Sequence, residues 1–295
     1  MTARHYYEVR GWLLASPYLL YTLVFFAVPL VWALQLAGMD WNLIAPQRTW
    51  VGFGNLVEAL HSPRIWAAFV NTYKFLVLFL PLVLALSVGI ALLVNGLPRG
   101  GHWFTVLFFL PYLSSGVATS LVIQGLIAVN APLNRWLVSA FGFSPPWLES
   151  PGWATVVIVV LIAWKFSGYY ALVYLAALRS LPRELWEAAA LDVPSAWQRF
   201  WRVTWPNLYP ATFTVTVLAT GLMFSVFTEP YVLTQGGPQL ATHTWQLEIY
   251  YQAFANFRAG YASAVALLNA VATFAGVAVV RWLMNRWGRA HGFEP

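Results

Sequence analysis

The chain of 295 residues contains no cysteine. Disulfides, thiolate metal sites and cysteine nucleophiles are therefore excluded. Charge is scarce as well: only 9% of the residues are Asp, Glu, Lys or Arg, against about 25% in a soluble domain. A chain this poor in charge cannot present a polar surface to water on every side, which excludes a soluble enzyme and a disordered protein. No G-x-x-x-x-G-K-[ST] is present, so the chain has no loop to cradle the phosphates of ATP. H-E-x-x-H and G-x-S-x-G are also missing, as is any pair of acids within an apolar run. An intramembrane hydrolase or glycosyltransferase would need such groups, and a self-sufficient channel would need polar rings on several spans. The five histidines (His5, His61, His102, His243 and His291) fall outside the apolar runs or at their rims, so no metal set is expected.

Apolar surface is what the chain has in excess. Hydrophobic residues make up 60%, and the mean hydropathy is +0.65. The net charge of +6 is scattered among apolar runs rather than gathered in a patch, which argues for membrane topology and against nucleic acid. A hydrocarbon core of about 30 Å needs about 20 apolar helical residues. Six runs qualify, at about 13–37, 69–94, 103–129, 153–178, 208–228 and 260–280. Lys74 and Lys165 are the charges within them. No barrel alternation is seen, so the expected fold is an all-α membrane protein with six transmembrane helices in a single domain over residues 1–295. Pro29, Pro81 and Pro111 predict kinks, and the first run is too long for a signal-peptide core, so it is expected to be retained.

The basic residues set the orientation. Arg4, Arg10, Arg99, Arg179, Arg183, Arg199, Arg202, Arg281, Arg286 and Arg289 fall on one side, and only Arg48, Arg64, Arg135 and Arg258 on the other. The richer side is expected to be cytoplasmic, with both termini. Among the outer connections, Leu133, Trp136, Leu137, Ala140 and Phe141 fall on one helical face, which predicts a short helix lying in the interface.

The cytoplasmic connection 180–207 is more than a linker. Ser180-Leu181-Pro182 with Glu184 reads as a helix start. Leu185, Trp186, Ala188, Ala189 and Leu191 form an apolar face, and Asp192-Val193-Pro194-Ser195 breaks the helix. A second helix is expected over 196–203, with Trp197, Phe200 and Trp201 on one face and Pro206 ending it. Such a segment is either a hairpin on the lipid surface or a docking knob for a cytoplasmic partner.

Glu187-Ala188-Ala189-Ala190-Leu191-Asp192 followed by Trp197-Gln198-Arg199-Phe200 resembles the EAA loop of ABC importer permeases. Leu233-Thr234-Gln235-Gly236-Gly237-Pro238, Phe257-Arg258-Ala259-Gly260-Tyr261-Ala262 and Phe109-Leu110-Pro111-Tyr112 resemble the carbohydrate-uptake branch of the same family. One departure stands out: Val193 occupies a place where that family usually has glycine, so the turn either keeps a negative φ or is strained.

The resemblance implies a type I ABC importer permease in a bacterial or archaeal cytoplasmic membrane. It implies no enzyme activity and no cofactor on this chain, with ATP and Mg held by two cytoplasmic ATPase subunits. The other implied partners are a second homologous permease, an extracytoplasmic solute-binding protein, lipid, and a sugar substrate, with glycerol-3-phosphate or a polyol as the alternative. A membrane structural or assembly protein is the alternative from another class. Glu187, Ala188, Ala189 and Asp192 would couple to the ATPase. By position relative to maltose-type permeases, Ile162, Lys165, Phe166 and Tyr169 of the fourth span and Ala219, Leu222, Met223 and Val226 of the fifth would face the substrate pathway. The first four share one helical face, and core packing is the competing role for all eight. Lys165 must meet water, a carbonyl or an acid, because a lysine facing lipid at this depth costs roughly 2.5–3.5 kcal/mol.

Overall fold

The computed structural model describes residues 3–42, 44, 47–97, 99–193, 195–290 and 292–293, with side chains from Arg10 onward. Pro194 and the side chains of Arg4, His5 and His291 lie outside the described residues. The chain divides into two compact units, 1–62 with 248–268, and 63–247 with 269–295.

In the first unit, α1 (Ala3–Thr22) passes through a π-turn (Leu23–Ala27) into α2 (Val28–Ala37). The π-turn sits just ahead of Pro29, whose missing N–H is absorbed by the wider turn. None of the best apolar window in Arg10–Ala37 is buried. A two-residue hairpin pairs β1 (Met39–Asp40) with β2 (Thr49–Trp50). The Asn55 amide of α3 (Gly54–His61) donates to the carbonyls of Ala37 (3.0 Å) and Met39 (2.8 Å), satisfying the end of α2.

Arg258 donates two bonds of 2.7 Å to the Glu58 carboxylate, and its guanidinium lies over the Tyr261 ring. This bonding holds the Glu58 carboxyl below its ordinary value. A depressed folded value adds stability above the unfolded carboxylate range of about 4.3 and loses it as pH falls through the folded value. Both side chains are well exposed, at 41% and 50%, so the pair is worth under about 1 kcal/mol. Arg258→Ala is expected to lower thermal stability slightly at pH 7 and not at pH 3. An equal loss at both pH values would assign the effect to packing on Tyr261 instead.

The second unit holds the core. Its helices are α4 (Pro63–Asn95), α5 (Gly101–Leu113), α6 (Gly116–Leu126), α7 (Pro132–Phe141) and α8 (Pro151–Ser180). There follow α9 (Arg183–Asp192), α10 (Ala196–Arg199), a π-turn (Phe200–Thr204), α11 (Trp205–Asn207), α12 (Tyr209–Phe224) and α13 (Thr228–Leu233). Helices α14 (Trp245–Tyr250) and α15 (Ala259–Ala290) continue the chain across the unit boundary. Phe75, Phe79 and Val83 of α4 pack with Ile158, Ile162 and Tyr174 of α8 and Val215, Ala219 and Met223 of α12.

Among the described residues, four helices, Arg10–Ala37, Pro63–Asn95, Pro151–Ser180 and Ala259–Ala290, are long and apolar enough to cross a membrane. The expected third span is instead a broken pair: α5 and α6 meet at 93°. Ser114 and Ser115 are extended, and Ser114 Oγ bonds the Pro111 carbonyl that the break frees. Hydropathy counts composition and is blind to this change of direction. The fifth run yields α12, whose 16 residues span about 24 Å, short of a hydrocarbon core of about 30 Å.

Several local expectations are corrected. Ser180 does not cap α9. It ends α8, and its hydroxyl donates back to Ala177, while Pro182 takes the cap position without a side-chain bond. Pro206 does not end a helix either, because the π-turn over Phe200–Thr204 delivers it to the first turn of α11, where a missing N–H is harmless. Val193 adopts φ −128° and ψ 94°, so this elbow asks for no left-handed residue and valine is unstrained there. The short helix expected over 133–141 forms as α7, with Leu133, Trp136 and Phe141 exposed. Its opposite side is pinned by buried Asn134, which donates to Ile127 and Ala128 and accepts from the Trp147 indole.

Candidate functional site

Three features of the second unit carry polar chemistry. The first is centred on Lys165, about halfway along α8. Its Nζ lies 3.8 Å from Glu229 Oε1, and the two side chains are 11% and 9% exposed. Glu229 is placed by the break after α12: α13 turns in and buries this acid in its first turn. The break between α5 and α6 supplies the third wall. A Cβ at Gly116 would stand 3.0 Å from Thr228 Cγ2, 3.2 Å from Lys165 Nζ and 3.3 Å from Glu229 Oε1. Only a residue without a side chain leaves this corner open.

Beside the pair lies an aromatic wall. The Tyr112 ring stacks on Tyr169 at 4.6 Å and 15°, and meets Phe166 edge-on at 5.4 Å. Phe166 and Tyr169 keep some exposure, as does Leu222 on α12. The other expected pathway positions are not with them. Ile162, Ala219, Met223 and Val226 lie in the hydrophobic core, each 4% exposed or less. Sequence reasoning missed Glu229, Gly116 and the site role of Tyr112. Tyr112 was visible only as part of a motif, and Glu229 falls just past the end of the fifth apolar run.

The second feature is the outward face of α9. Leu185, Trp186 and Ala189 turn inward, and Trp186 packs on the core. The expected single apolar face therefore splits: Glu184, Glu187, Ala188 and Leu191 share an outward stripe at i, i+3, i+4 and i+7. Leu191 is 87% exposed. Glu187 pairs with Arg183 one turn earlier, Nε to Oε1 at 2.9 Å, both exposed. Asp192, the last residue of the helix, is exposed as well.

The third feature is the Gly-Gly-Pro loop. Asn71 donates to the carbonyls of Leu240 (2.6 Å) and His243 (2.9 Å), and Lys74 Nζ donates to Ala241 (2.7 Å). Thr242 bridges the Thr234 hydroxyl and the Gly237 carbonyl. Gly236 has φ +89°, and a Cβ there would also strike His243 and Leu247 at 2.8 and 2.9 Å, so no other residue fits. Lys74 thus holds a loop. Among the described residues, no group of three or more His, Asp or Glu could hold a metal ion.

A family model described as "Binding-protein-dependent transport system inner membrane component" matches residues 3–289. The lactose transport system permease protein LacF of Rhizobium radiobacter is 33% identical over 255 residues, 84% of each chain. The sn-glycerol-3-phosphate transport system permease protein UgpA of Rhizobium meliloti (strain 1021) is 29% identical over 266 residues, 88% of this chain and 89% of that one. In a crystal structure of a bacterial alginate ABC transporter, in complex with an alginate pentasaccharide-bound periplasmic protein, one chain superposes with TM-score 0.79. The alignment is 23% identical and covers 95% of each chain, a likeness of fold.

Proposed function

The chain belongs to the family of binding-protein-dependent transport system inner membrane components, and from that premise we propose that it is a membrane-spanning permease subunit of an ATP-driven sugar importer, taking a di- or oligosaccharide. The outward stripe on α9 carries this reading. Glu187, Ala188 and Leu191 face away from the protein on a helix whose other side is anchored through Trp186. The stripe, an exposed leucine with a small alanine and a carboxylate on a short, anchored helix, is read as the contact surface for the ATPase partner. The chain has no phosphate loop of its own, so that partner supplies ATP and Mg. Two such ATPase subunits, a second homologous permease and an extracytoplasmic solute-binding protein complete the assembly in a bacterial or archaeal cytoplasmic membrane. The helices rock between outward- and inward-open states as the ATPase subunits close.

The substrate pathway passes Lys165, Phe166 and Tyr169, where aromatic rings suit the apolar faces of a sugar and polar heads suit its hydroxyls. Leu222 is the fifth-span residue placed to contribute, while Ile162, Ala219, Met223 and Val226 pack behind it. Glycerol-3-phosphate is the competing substrate, in view of the relative that carries that name. Affinity purification separates transport from a purely structural role: an ATPase is expected at one copy per permease chain. Its absence from a well-folded preparation would refute the importer.

Six crossings with cytoplasmic termini belong to the same proposal, with the broken pair and α12 each counted as one. The natural absence of cysteine makes this testable. Gln239 and Ser195 are both exposed. An impermeant thiol reagent on intact cells is expected to label Gln239→Cys and to spare Ser195→Cys. The opposite pattern would invert the topology.

A further inference from the structure

We propose that Lys165 and Glu229 act as one electrically neutral unit that binds solute hydroxyls and turns away anions, so that Glu229 sets the charge selectivity of the pathway. The inference rests on the transport reading above and adds to it the kind of solute. Its starting point is an oddity of the pair. Two opposite charges that exist only to stabilise each other close to hydrogen-bond distance, about 2.7–2.9 Å. Here the heads stand 3.8 Å apart, and neither makes a hydrogen bond to the described residues. An ammonium with three donors and a carboxylate with several free lone pairs are thus held nine-tenths buried with their capacity unspent. Buried polar groups left in that state are costly, and the arrangement makes sense where a guest completes it. A hydroxyl is the matching guest, because it can accept from Lys165 and donate to Glu229 at once.

The surroundings favour the same guest. Gly116 keeps the corner open, since any Cβ there would lie 3.2 Å from Nζ and 3.3 Å from Oε1. Tyr112, Phe166 and Tyr169 supply ring surface on the adjoining wall. A lone lysine at this depth would draw phosphates and carboxylates. The Glu229 carboxylate cancels that pull at close range and adds repulsion against any anion placed between the two heads. A neutral sugar meets donors, acceptors and rings, whereas glycerol-3-phosphate or a uronic acid meets an acid.

The test uses the complete transporter, with both permeases, the ATPases and the binding protein, in proteoliposomes. Lactose, maltose and glycerol-3-phosphate serve as probes. Wild-type protein is expected to take up a neutral probe and to be indifferent to millimolar glycerol-3-phosphate. Glu229→Gln leaves Lys165 uncompensated. It should assemble, lose roughly tenfold or more of neutral uptake, and become inhibitable by glycerol-3-phosphate. In Lys165→Met with Glu229→Gln both charges are gone. That variant should assemble and resist glycerol-3-phosphate, yet keep a raised KM for the neutral probe because the hydroxyl contacts are lost. A double variant with wild-type KM would reduce the pair to a structural strut. A Glu229→Gln transporter that stays blind to glycerol-3-phosphate, or a wild-type one that imports it, would overturn the selectivity while leaving the importer standing. Failure of the purified wild-type chain to retain ATPases, so that no complete transporter can be prepared, would remove the transport reading, and this inference with it.

Discussion

Glu187→Ala is expected to leave the protein at normal levels in the membrane and to abolish substrate-stimulated ATP hydrolysis by the assembled transporter. The two halves of this result have separate physical grounds. In the permease itself Glu187 is exposed and pairs only with Arg183 on its own helix, a contact worth about 0.3–0.5 kcal/mol. Its removal cannot unfold a helix held down by Trp186 and Ala189. Docking changes the balance. A partner covering Ala188 and Leu191 would desolvate the carboxylate at the rim of the contact, next to a basic group or a helix N-terminus. Truncating one member of a desolvated pair costs roughly 2–5 kcal/mol, enough to unseat a transient interface. Leu191→Ser should weaken association as well, by loss of buried apolar area. Glu184→Ala, one turn earlier on the same stripe, is the comparison and should be mild. ATPase pull-down and ATP turnover measure the series. Equal effects at 184 and 187, or normal coupling without Glu187, would return α9 to the role of a membrane-surface hairpin.

Gly168→Ala is expected to be strongly damaging for a change of a single methyl group. Gly168 sits on α8 where the backbone of α5 passes against it, and a Cβ there would overlap the Phe108 carbonyl. Small residues permit such approaches between membrane helices. The obstacle is main chain, so no rotamer change relieves it. Overpacking of this kind costs about 1–3 kcal/mol and sometimes more, against total stabilities of about 5–15 kcal/mol. The same α8 segment carries Lys165, Phe166 and Tyr169, so a shift of α5 would also unstack Tyr112. Gly221→Ala on α12 meets nothing within 4 Å and should be neutral or slightly stabilising, because alanine is the better helix former. Folded yield and thermal inactivation of the two variants, compared side by side, give the answer. Equal behaviour would show that α5 and α8 are not in backbone contact at this point.

The residues that sequence reasoning placed well are those whose role is local. Helix α7 was legible in the spacing of Leu133, Trp136 and Phe141, because a repeat of 3.6 is a property of neighbours in the chain. The elbow at 192–195 was legible for the same reason. The question raised by Val193 was settled only by its φ of −128°, since a motif records which residue is usual and not which torsion is required. Burial along the α8 stripe was not legible. Lys165, Phe166 and Tyr169 keep some exposure, but Ile162 on the same stripe is 1% exposed, because the neighbouring helices α4 and α12 decide where the stripe ends.

The amino-acid sequence by itself determined that this is a polytopic membrane protein without thiols or a phosphate-binding loop of the G-x-x-x-x-G-K-[ST] kind, and where its apolar runs and the elbow after Asp192 lie. These properties are sums over composition or over the nearest turn of helix. Tertiary structure alone decided that the third run breaks at 93°, that Lys165 faces Glu229, and that Asn71 and Lys74 clamp a loop 169 and 167 residues further on. Each of these depends on which helices become neighbours. That choice is made by the packing of many side chains at once, and no single residue or spacing along the chain records it.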